Sequence, residues 1–240
     1  AYATVPQTSF VDPVFDILAN LPPSVGLLQE AAEAAARRVL IVSSGGTVYG
    51  KALALPLGED HPTRPISPYG ITKLTIEHYA RMVHAVAGLP VTIVRPANAY
   101  GPSQRSDAGQ GFIAAAAHAI ARGRRISLFG ARGTVRDYIH VSDVARGILA
   151  ALECGEAGAT YNIGTGIGHD NAQVLALLAP LAGAAGLELH VETLPARSFD
   201  VPANVLDATR LRACSGWRPL VDLAAGLAEV WEAALREARD

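Results

Sequence analysis

The chain has 240 residues, a formal net charge of -2 and 50% hydrophobic residues, which is enough for one large domain or two small ones with an ample core. Its 20 lysines and arginines form no basic cluster, which argues against a nucleic-acid surface. No apolar run reaches the roughly 18 residues of a membrane span, and the N-terminus lacks a signal-peptide pattern. We therefore expect neither nucleic acid nor a membrane as a partner.

The first long helix is predicted over residues 9–36. Asp12-Pro13 is typical of a helix start, because proline is tolerated in the first turn. Pro22-Pro23 interrupts the pattern and predicts a kink or a split near Asn20. The apolar face suits the core and a subunit interface equally well; it carries Val25, Leu28 and Ala32.

Two short apolar runs follow, and each ends in polar or glycine residues. Residues 39–42 predict a buried strand of a parallel sheet that leads into Ser43-Ser44-Gly45-Gly46-Thr47. Residues 91–94 predict the next strand, which leads into Arg95-Pro96-Ala97-Asn98. Because such sheets bind ligands outside the carboxyl ends of their strands, we expect a ligand site where the two runs end.

Tyr69 and Lys73 stand four residues apart on a helix predicted to run from Pro68 to about Ala87. Residues at this spacing share a helix face, so the phenol and the ammonium point into the same space. A cation beside a tyrosine favours the phenolate and lowers its pKa, which makes Tyr-x-x-x-Lys a possible proton-transfer group. By spacing alone, a solvated pair is the commoner interpretation.

The intervening loop, residues 53–65, contains proline, glycine and a group of charges. We interpret this group as a solvated rim rather than as a catalytic carboxylate site. Its members are Glu59, Asp60, His61 and Arg64.

From residue 111 the dinucleotide-binding pattern gives way to mixed short elements. We therefore predict two parts: residues 1–110 as the C-terminal part of a dinucleotide-binding domain, and residues 111–240 mainly as a substrate lobe interleaved with the sheet. Ser142-Asp143 is predicted to cap a helix. The predicted helices cover residues 112–122, 142–152, 171–182 (bent or broken at Pro180), 206–213 and 223–237, and the strands cover 126–129, 137–141, 161–163 and 187–193.

Cys154 and Cys214 are isolated and lack the spacing of metal ligands. We expect no metal site and two free thiols in a reducing cytoplasm.

Four motifs, in order along the chain, carry a resemblance to a known family. They are SSGGTVYG (43–50), PYGxxK (68–73), RPANxYGP (95–102) and RDYIHV (136–141). Together they resemble the extended short-chain dehydrogenase/reductases, and within them the NAD-dependent nucleotide-sugar epimerases of the UDP-glucose 4-epimerase type. The resemblance implies an α/β fold with a Rossmann-like doubly wound parallel sheet and a smaller mixed α/β lobe. It also implies NAD as cofactor, a UDP-sugar or related substrate, a cytoplasmic location, and a homodimer formed by the two long helices.

The resemblance implies a role for each residue of the Tyr/Lys motif. Tyr69 would move the proton of the sugar 4-hydroxyl, and Lys73 would hold the nicotinamide ribose and lower the pKa of Tyr69. Ser43 and Pro96 would line the cofactor site. Many relatives carry the third catalytic hydroxyl where this chain has a glycine, at position 45; Ser44 is therefore favoured for it and Thr47 is the runner-up.

Substrate binding is implied for five residues. Asn98 would bind phosphate or sugar, and Arg136 and Arg197 would clamp the diphosphate as guanidinium forks. Asp200 would face the nucleotide ribose or orient an arginine. Asn204 lies where relatives limit the room near the sugar 2-position, and its medium size would admit an N-acetyl group.

Two features keep other functions open. No Gly-x-x-Gly-x-x-Gly turn is present, and Gly164-Thr165-Gly166-Ile167-Gly168 has the wrong spacing. We therefore expect a partial chain that lacks the first βαβαβ half, or a fragment that binds nucleotide sugar without catalysis. Sugar 4,6-dehydratases and uronate decarboxylases share the fold, but they need an acidic residue shortly after the serine, which residues 45–48 do not offer.

Overall fold

Three parallel strands run through the part of the chain that carries the predicted site. The computed structural model describes residues 2–104, 111–197 and 200–239. Strands β1 (Val39–Val42), β2 (Val91–Pro96) and β6 (Thr160–Ile163) form a sheet in the order β1-β2-β6. The predicted α/β fold with a parallel sheet is confirmed, and β6 joins this sheet from far along the chain.

Strand β1 lies at the edge of that sheet. Every residue of β2 is buried, whereas the β1 residues are half-buried and Val42 is 43% exposed. The prediction of a buried strand is therefore wrong for β1. Among the described residues only β2 pairs with it, so one side of β1 has no neighbouring strand.

The first helical segment is α1 (Pro6–Val11) followed by α2 (Pro13–Glu33). Helix α2 continues through Pro22 and Pro23, so the predicted split near Asn20 is wrong. Both prolines are exposed, which lets water hydrogen-bond the carbonyl groups that lose their helical partners. Asn20 is buried, and its Nδ2 donates to the Asp16 carbonyl at 2.7 Å and so supports the same turn.

Helix α4 (Pro68–Ala87) confirms the predicted helix of Tyr69 and Lys73. It begins because the Ser67 side chain accepts from the Gly70 amide at 3.2 Å and Pro68 occupies the first turn. It ends at Gly88, whose φ of 71° favours glycine. Helices α2 and α4 pack together over β1 and β2.

The remaining described elements build a second layer system. Strand β5 (Val135–His140) is parallel to β3 (Asn98–Tyr100) and β9 (Ala203–Asn204), and antiparallel to β7 (Gly168–Asp170). Strands β4 (Ile126–Phe129) and β8 (Val191–Leu194) form a parallel pair. The helices are α3 (Gly45–Val48), α5 (Phe112–Ala121), α6 (Val141–Cys154), α7 (Asn171–Ala184), α8 (Thr209–Ser215) and α9 (Leu223–Arg239).

Three local expectations need correction in this region. Helix α7 continues through Pro180, and the predicted strand over 187–193 is shorter, as β8. His140, not Ser142, is the N-cap of α6. The buried Asp143 carboxylate instead accepts from the Leu220 and Val221 amides, and so ties α6 to the segment before α9.

The two cysteines are not free thiols. Cys154, at the end of α6, is disulfide-bonded to Cys214 in α8. Because these helices pack against each other, they bring together two residues 60 positions apart. The pair removes the thiol argument for a reducing compartment, where stable disulfides are rare.

No helix among the described residues is both long and apolar enough to span a membrane. Within the same ranges, His, Cys, Asp and Glu form no group of three or more that could hold a metal ion.

Candidate active site

The turn after β1 is packed too tightly for a side chain at its centre. Ser44 is the N-cap of α3, and Gly45 follows at its first position. A Cβ on Gly45 would overlap Leu206 Cδ1 and lie 2.9 Å from the Arg95 carbonyl oxygen. The chain therefore has glycine at position 45 because β2 and Leu206 fill the space.

The Ser44 side chain lies near the Tyr69 phenol at this turn, and its interaction with the phenol acts to lower the pKa of Tyr69. Burial, followed by the negative charge of Asp16, outweighs this effect and raises the pKa of Tyr69 to about 12. The Tyr69 amide donates to Ser9 Oγ at 3.1 Å, which fixes the first turn of α4 against α1.

Lys73 lies one helical turn along and is buried. Its Nζ donates to the Val42 carbonyl at 3.0 Å and lies 5.7 Å from the centre of the Tyr69 ring. Burial lowers the pKa of Lys73 to about 8, although Asp16 and Glu77 act in the opposite direction. The expected lowering of the Tyr69 pKa by Lys73 is thus not found here, because burial dominates both groups.

Three polar atoms around the turn are buried without a hydrogen-bond partner among the described residues. They are Thr47 Oγ1, Asn98 Oδ1 and Asn204 Oδ1. Asn98 Oδ1 lies 3.2 Å from where a Cβ on Gly46 would be, and Asn204 Nδ2 donates to the Gly45 carbonyl at 3.0 Å. Because unpaired buried oxygens are costly, these atoms are positioned to take donors from a ligand.

The predicted diphosphate residues lie together. Arg136 is in register with Asn204 across β5 and β9. Burial lowers the pKa of Arg136, and the charges of Asp200 and Arg197 act on the same guanidinium. Arg197 pairs with Asp200 at 2.9 Å and lies over the Phe129 ring at 4.0 Å.

Arg136 does not pair with its neighbour Asp137. The Asp137 carboxylate faces the other side of β5, where it accepts from Thr165, Gly166 and Leu206. Within the described residues, the hydrogen bond of Arg136 goes to a carbonyl oxygen, that of Val135, and no acidic partner lies within ion-pair distance. A half-buried guanidinium in this state is suited to bind an anion.

The two residues predicted to line the cofactor site are buried. Ser43 Oγ donates to Glu77 Oε1 at 2.5 Å, so its proton is engaged within the protein. Pro96 ends β2, and its carbonyl oxygen lies 3.1 Å from the Cβ position of Gly45. Both residues therefore pack under the turn within the protein interior, where they support it.

The charged loop divides into two kinds of residue. Glu59 is buried, and its Oε1 accepts from the Asn162 amide at 2.8 Å. Asp60 is 91% exposed at its side chain and pairs with Arg210 at 2.9 Å. The solvated-rim interpretation holds for Asp60, whereas Glu59 is part of the protein interior.

Several residues at the site escaped the sequence interpretation. Asp16 is fully buried and accepts from Thr72 Oγ1 at 2.6 Å, beside Lys73. The Tyr2 ring lies over Lys73 Nζ at 3.9 Å. His169 faces Arg136 in register, and its Nδ1 has no partner in the described chain. The sequence offered one signal for these residues: Asp16 stands four positions before Asn20, which places both on the same face of α2.

The residues at the turn fit the nicotinamide-ribose end of a dinucleotide. Among the described residues, the one hydrogen bond of Lys73 Nζ goes to Val42, which leaves ammonium N–H groups for ribose hydroxyls. The Tyr69 ring centre lies 5.7 Å from Lys73 Nζ, and Arg136 is in register with Asn204. The fold is that of an α/β enzyme of Rossmann type, and the residues at the turn fit a nicotinamide cofactor.

Comparison with known proteins gives the family. The model of the NAD dependent epimerase/dehydratase family matches residues 1–164, and the chain belongs to this family, whose cofactor is NAD. The UDP-glucose 4-epimerase of Mycolicibacterium smegmatis is 37% identical over 226 residues, which are 94% of this chain and 71% of that protein.

Solved structures agree. The UDP-glucose 4-epimerase of Thermotoga maritima, crystallised with UDP-glucose, has a TM-score of 0.92 at 33% identity, over 100% of this chain and 76% of that one. The dTDP-glucose 4,6-dehydratase of Streptomyces venezuelae, with NAD bound, has a TM-score of 0.89 at 30% identity, over 100% and 72% respectively. Epimerases and dehydratases are thus both similar to this chain.

Proposed function

We propose that this protein epimerises a nucleotide-diphospho-sugar of the UDP-glucose/UDP-galactose type at C4, through a 4-keto sugar. The observation that carries the proposal is the placement of Tyr69 and Lys73 on one face of α4, with Lys73 Nζ 5.7 Å from the Tyr69 ring centre and Ser44 near the phenol. The similarity to UDP-glucose 4-epimerases supports the choice of reaction.

Tyr69 takes the proton of the sugar 4-hydroxyl and returns it after the ring has presented its other face. The Ser44 hydroxyl hydrogen-bonds to the two oxygen atoms between which this proton moves, that of the Tyr69 phenol and that of the sugar 4-hydroxyl. NAD, when bound, supplies the hydride chemistry at C4 and a positively charged ring that favours the phenolate. Lys73 holds the ribose hydroxyls, and Thr47 is the second candidate for the third hydroxyl.

The substrate is held by the polar groups beyond the turn. Arg136 and Arg197 bind the diphosphate, Asp200 orients Arg197, and Asn98 binds sugar or phosphate. In this proposal residues 111–240 form most of the substrate lobe, and residues 1–110 form the cofactor side. Ser43 and Pro96 act by supporting the turn on which the cofactor rests.

Asn204 sets the room beside the sugar 2-position. Its oxygen is buried and unpaired among the described residues, so it can accept from a 2-hydroxyl or from the N–H of an N-acetyl group. Turnover of a panel of UDP-sugars with and without the N-acetyl group measures how large a 2-substituent the site accepts. Equal kcat/KM for both members is expected, and rejection of every N-acetyl sugar contradicts the proposal for Asn204.

The central experiment measures cofactor and turnover together. Denatured protein should release NAD, and native protein should exchange UDP-glucose with UDP-galactose. Tyr69→Phe should lower kcat by about 10²–10⁴, whereas Tyr79→Phe, on the outer face of the same helix, should leave it unchanged. No NAD release together with no exchange would leave only nucleotide-sugar binding.

A 4,6-dehydratase is the second candidate, because the Streptomyces venezuelae enzyme is similar over the whole chain. Residues 45–48 carry no acidic side chain beside Ser44, which favours epimerisation over loss of water or of carbon dioxide. Product mass decides: an epimer keeps the mass of the substrate, whereas dehydration or decarboxylation lowers it.

We also propose a homodimer through the outer faces of α2 and α4. Apolar side chains are exposed there, including Val14, Phe15 and Leu18 on α2 and Met82 and Val86 on α4. Exposed apolar side chains grouped on packed helices are typical of an interface. Val86→Glu should give monomers in light scattering, and the control Leu220→Glu, at an exposed apolar residue outside α2 and α4, should not.

The cytoplasmic location stays a prediction. The Cys154–Cys214 disulfide is the feature that it has to accommodate.

A further inference from the structure

The face of α4 that carries Tyr69 and Lys73 continues with two more polar residues at the same spacing. Glu77 and Arg81 follow at intervals of four, so the four side chains form a stripe along one face of the helix. The proposed reaction uses only the first two. Glu77 is 0% exposed, which makes it the most deeply buried member of the stripe.

Glu77 holds four hydrogen bonds from three side chains. Its Oε1 accepts from Ser43 Oγ at 2.5 Å and from Arg95 Nε at 2.9 Å. Its Oε2 accepts from Arg95 at 2.6 Å and from Arg81 at 2.9 Å. The two bonds from Arg95 form a fork, the geometry that fixes a carboxylate most firmly.

Ser43 connects this carboxylate to the catalytic turn. Its amide donates to the Val94 carbonyl at 2.8 Å, so its backbone belongs to the sheet, and its hydroxyl points to α4. The next residue is Ser44, the N-cap of α3 and the partner of Tyr69. The residue that Glu77 holds is therefore the direct chain neighbour of Ser44, whose side chain interacts with Tyr69.

A buried ion pair of this kind is poorly explained by stability alone. Taking two charges out of water costs about as much as their attraction returns, and apolar replacements are often equally stable. A fully satisfied buried network does fix orientation. Here it joins α4, the helix of Tyr69, to β2 through Arg95 and to Ser43, the residue directly before Ser44.

We propose that Glu77 is a positioning residue. It holds the Ser43 hydroxyl and thereby fixes the position of the neighbouring Ser44 hydroxyl relative to the Tyr69 phenol. The inference rests on the proposed function for its effect on rate. The geometric part can be measured without catalysis.

The first measurement is amide hydrogen exchange in the turn. The Thr47 and Val48 amides donate to the Ser44 carbonyl at 3.3 and 3.1 Å and report on α3. Ser43→Ala, which removes the connecting hydroxyl, and Glu77→Gln should both speed their exchange about tenfold. The amides of β2 should keep their wild-type rates.

Arg81→Gln is the matched control. It removes the partly exposed guanidinium that donates to Glu77 Oε2 and leaves the bonds of Ser43 and Arg95 to Glu77 in place. It should leave exchange in the turn unchanged. Should Glu77→Gln not fold, Ser43→Ala carries the test alone, since it leaves the ion pair with Arg95 intact.

The second measurement separates positioning from cofactor contact. Ser43→Ala should lower kcat about tenfold and leave the NAD Kd and the sugar KM within about twofold. A weaker NAD Kd with unchanged kcat would make Ser43 a cofactor contact and overturn the proposal. So would unchanged exchange in the turn. If wild-type protein shows no turnover, the proposed function fails, and the exchange result still decides the role of Glu77.

Discussion

The side-chain amide of Asn204 donates a 3.0 Å hydrogen bond to the main-chain carbonyl of Gly45, although 159 positions separate the two residues. The bond joins β9, beside Arg136, to the turn that presents Ser44. The turn is therefore held by Asn204, beside the proposed diphosphate site, and by the bond from Ser43 to Glu77 of α4. The proposed proton transfer would depend on both contacts.

Asn204→Leu keeps the size of this side chain and removes the donor. The buried Gly45 carbonyl then loses its partner, and we expect the free energy of unfolding to fall by about 1–3 kcal/mol. Urea unfolding measures it. A variant as stable as wild type would show that water or another donor replaces the amide.

Gly45→Ala tests the close approach at the same turn. The new Cβ would overlap Leu206 and lie 2.9 Å from the Arg95 carbonyl oxygen. We expect a loss of about 1–3 kcal/mol from overpacking, together with loss of turnover. Gly26→Ala, inside α2 with no atom within 4 Å of the added Cβ, should instead stabilise by about 0.5–1 kcal/mol. Equal effects at both glycines would contradict the packing argument.

Lys73→Met tests the cost of burying the Lys73 ammonium, which is catalytic in the proposed reaction. The pKa of Lys73 falls from 10.5 to about 8 in the folded protein, chiefly through burial. At pH 7 the lysine is charged in both states, so replacing it should stabilise the fold by about 1–3 kcal/mol while abolishing turnover.

The gain from Lys73→Met should depend on pH in one direction. Between about pH 8 and 10.5 the unfolded chain binds more protons than the folded one, so wild-type stability rises with pH there. The difference between the two proteins should shrink across this window. A difference that grows with pH would mean that the folded-state pKa of Lys73 is raised.

Arg136→Met tests the half-buried guanidinium of the proposed diphosphate site. Without the guanidinium, UDP should bind about 10- to 100-fold more weakly by calorimetry, since hydrogen bonds to charged groups contribute about 1.5–3 kcal/mol. Arg124→Met, at an exposed arginine, is the control and should bind UDP as wild type does. Equal UDP affinity in both variants would remove Arg136 from the diphosphate site.

The Cys154–Cys214 disulfide closes a loop with a sequence separation of 60. The double variant Cys154→Ser/Cys214→Ser should lose about 2–4 kcal/mol of stability, because the unfolded chain regains the conformational freedom that the cross-link removes. Reduction of the wild-type protein should lower its Tm to that of the double variant. No response of the wild-type Tm to reductant would mean that the thiols are unpaired in solution.

Much of the fold could be predicted from the sequence where local patterns govern it. The helix from Pro68 to Ala87 begins at a serine cap and a proline and ends at a glycine, and all of these signals are local. The exposed edge of β1 and the unbroken α2 could not be predicted so, because each depends on which neighbours are present. An apolar run looks the same with one neighbouring strand as with two.

The sequence by itself determined the family, the Tyr69/Lys73 spacing on one helix face and the arginines in register with their motifs. Only the tertiary structure decided that Ser44 lies near Tyr69, that Ser43 donates to Glu77, that Cys154 pairs with Cys214, and that burial raises the pKa of Tyr69 and lowers the pKa of Lys73. The reason is physical. Spacing along a helix is a local property, whereas desolvation, steric exclusion and pairing arise from atoms that the fold brings together from distant parts of the chain.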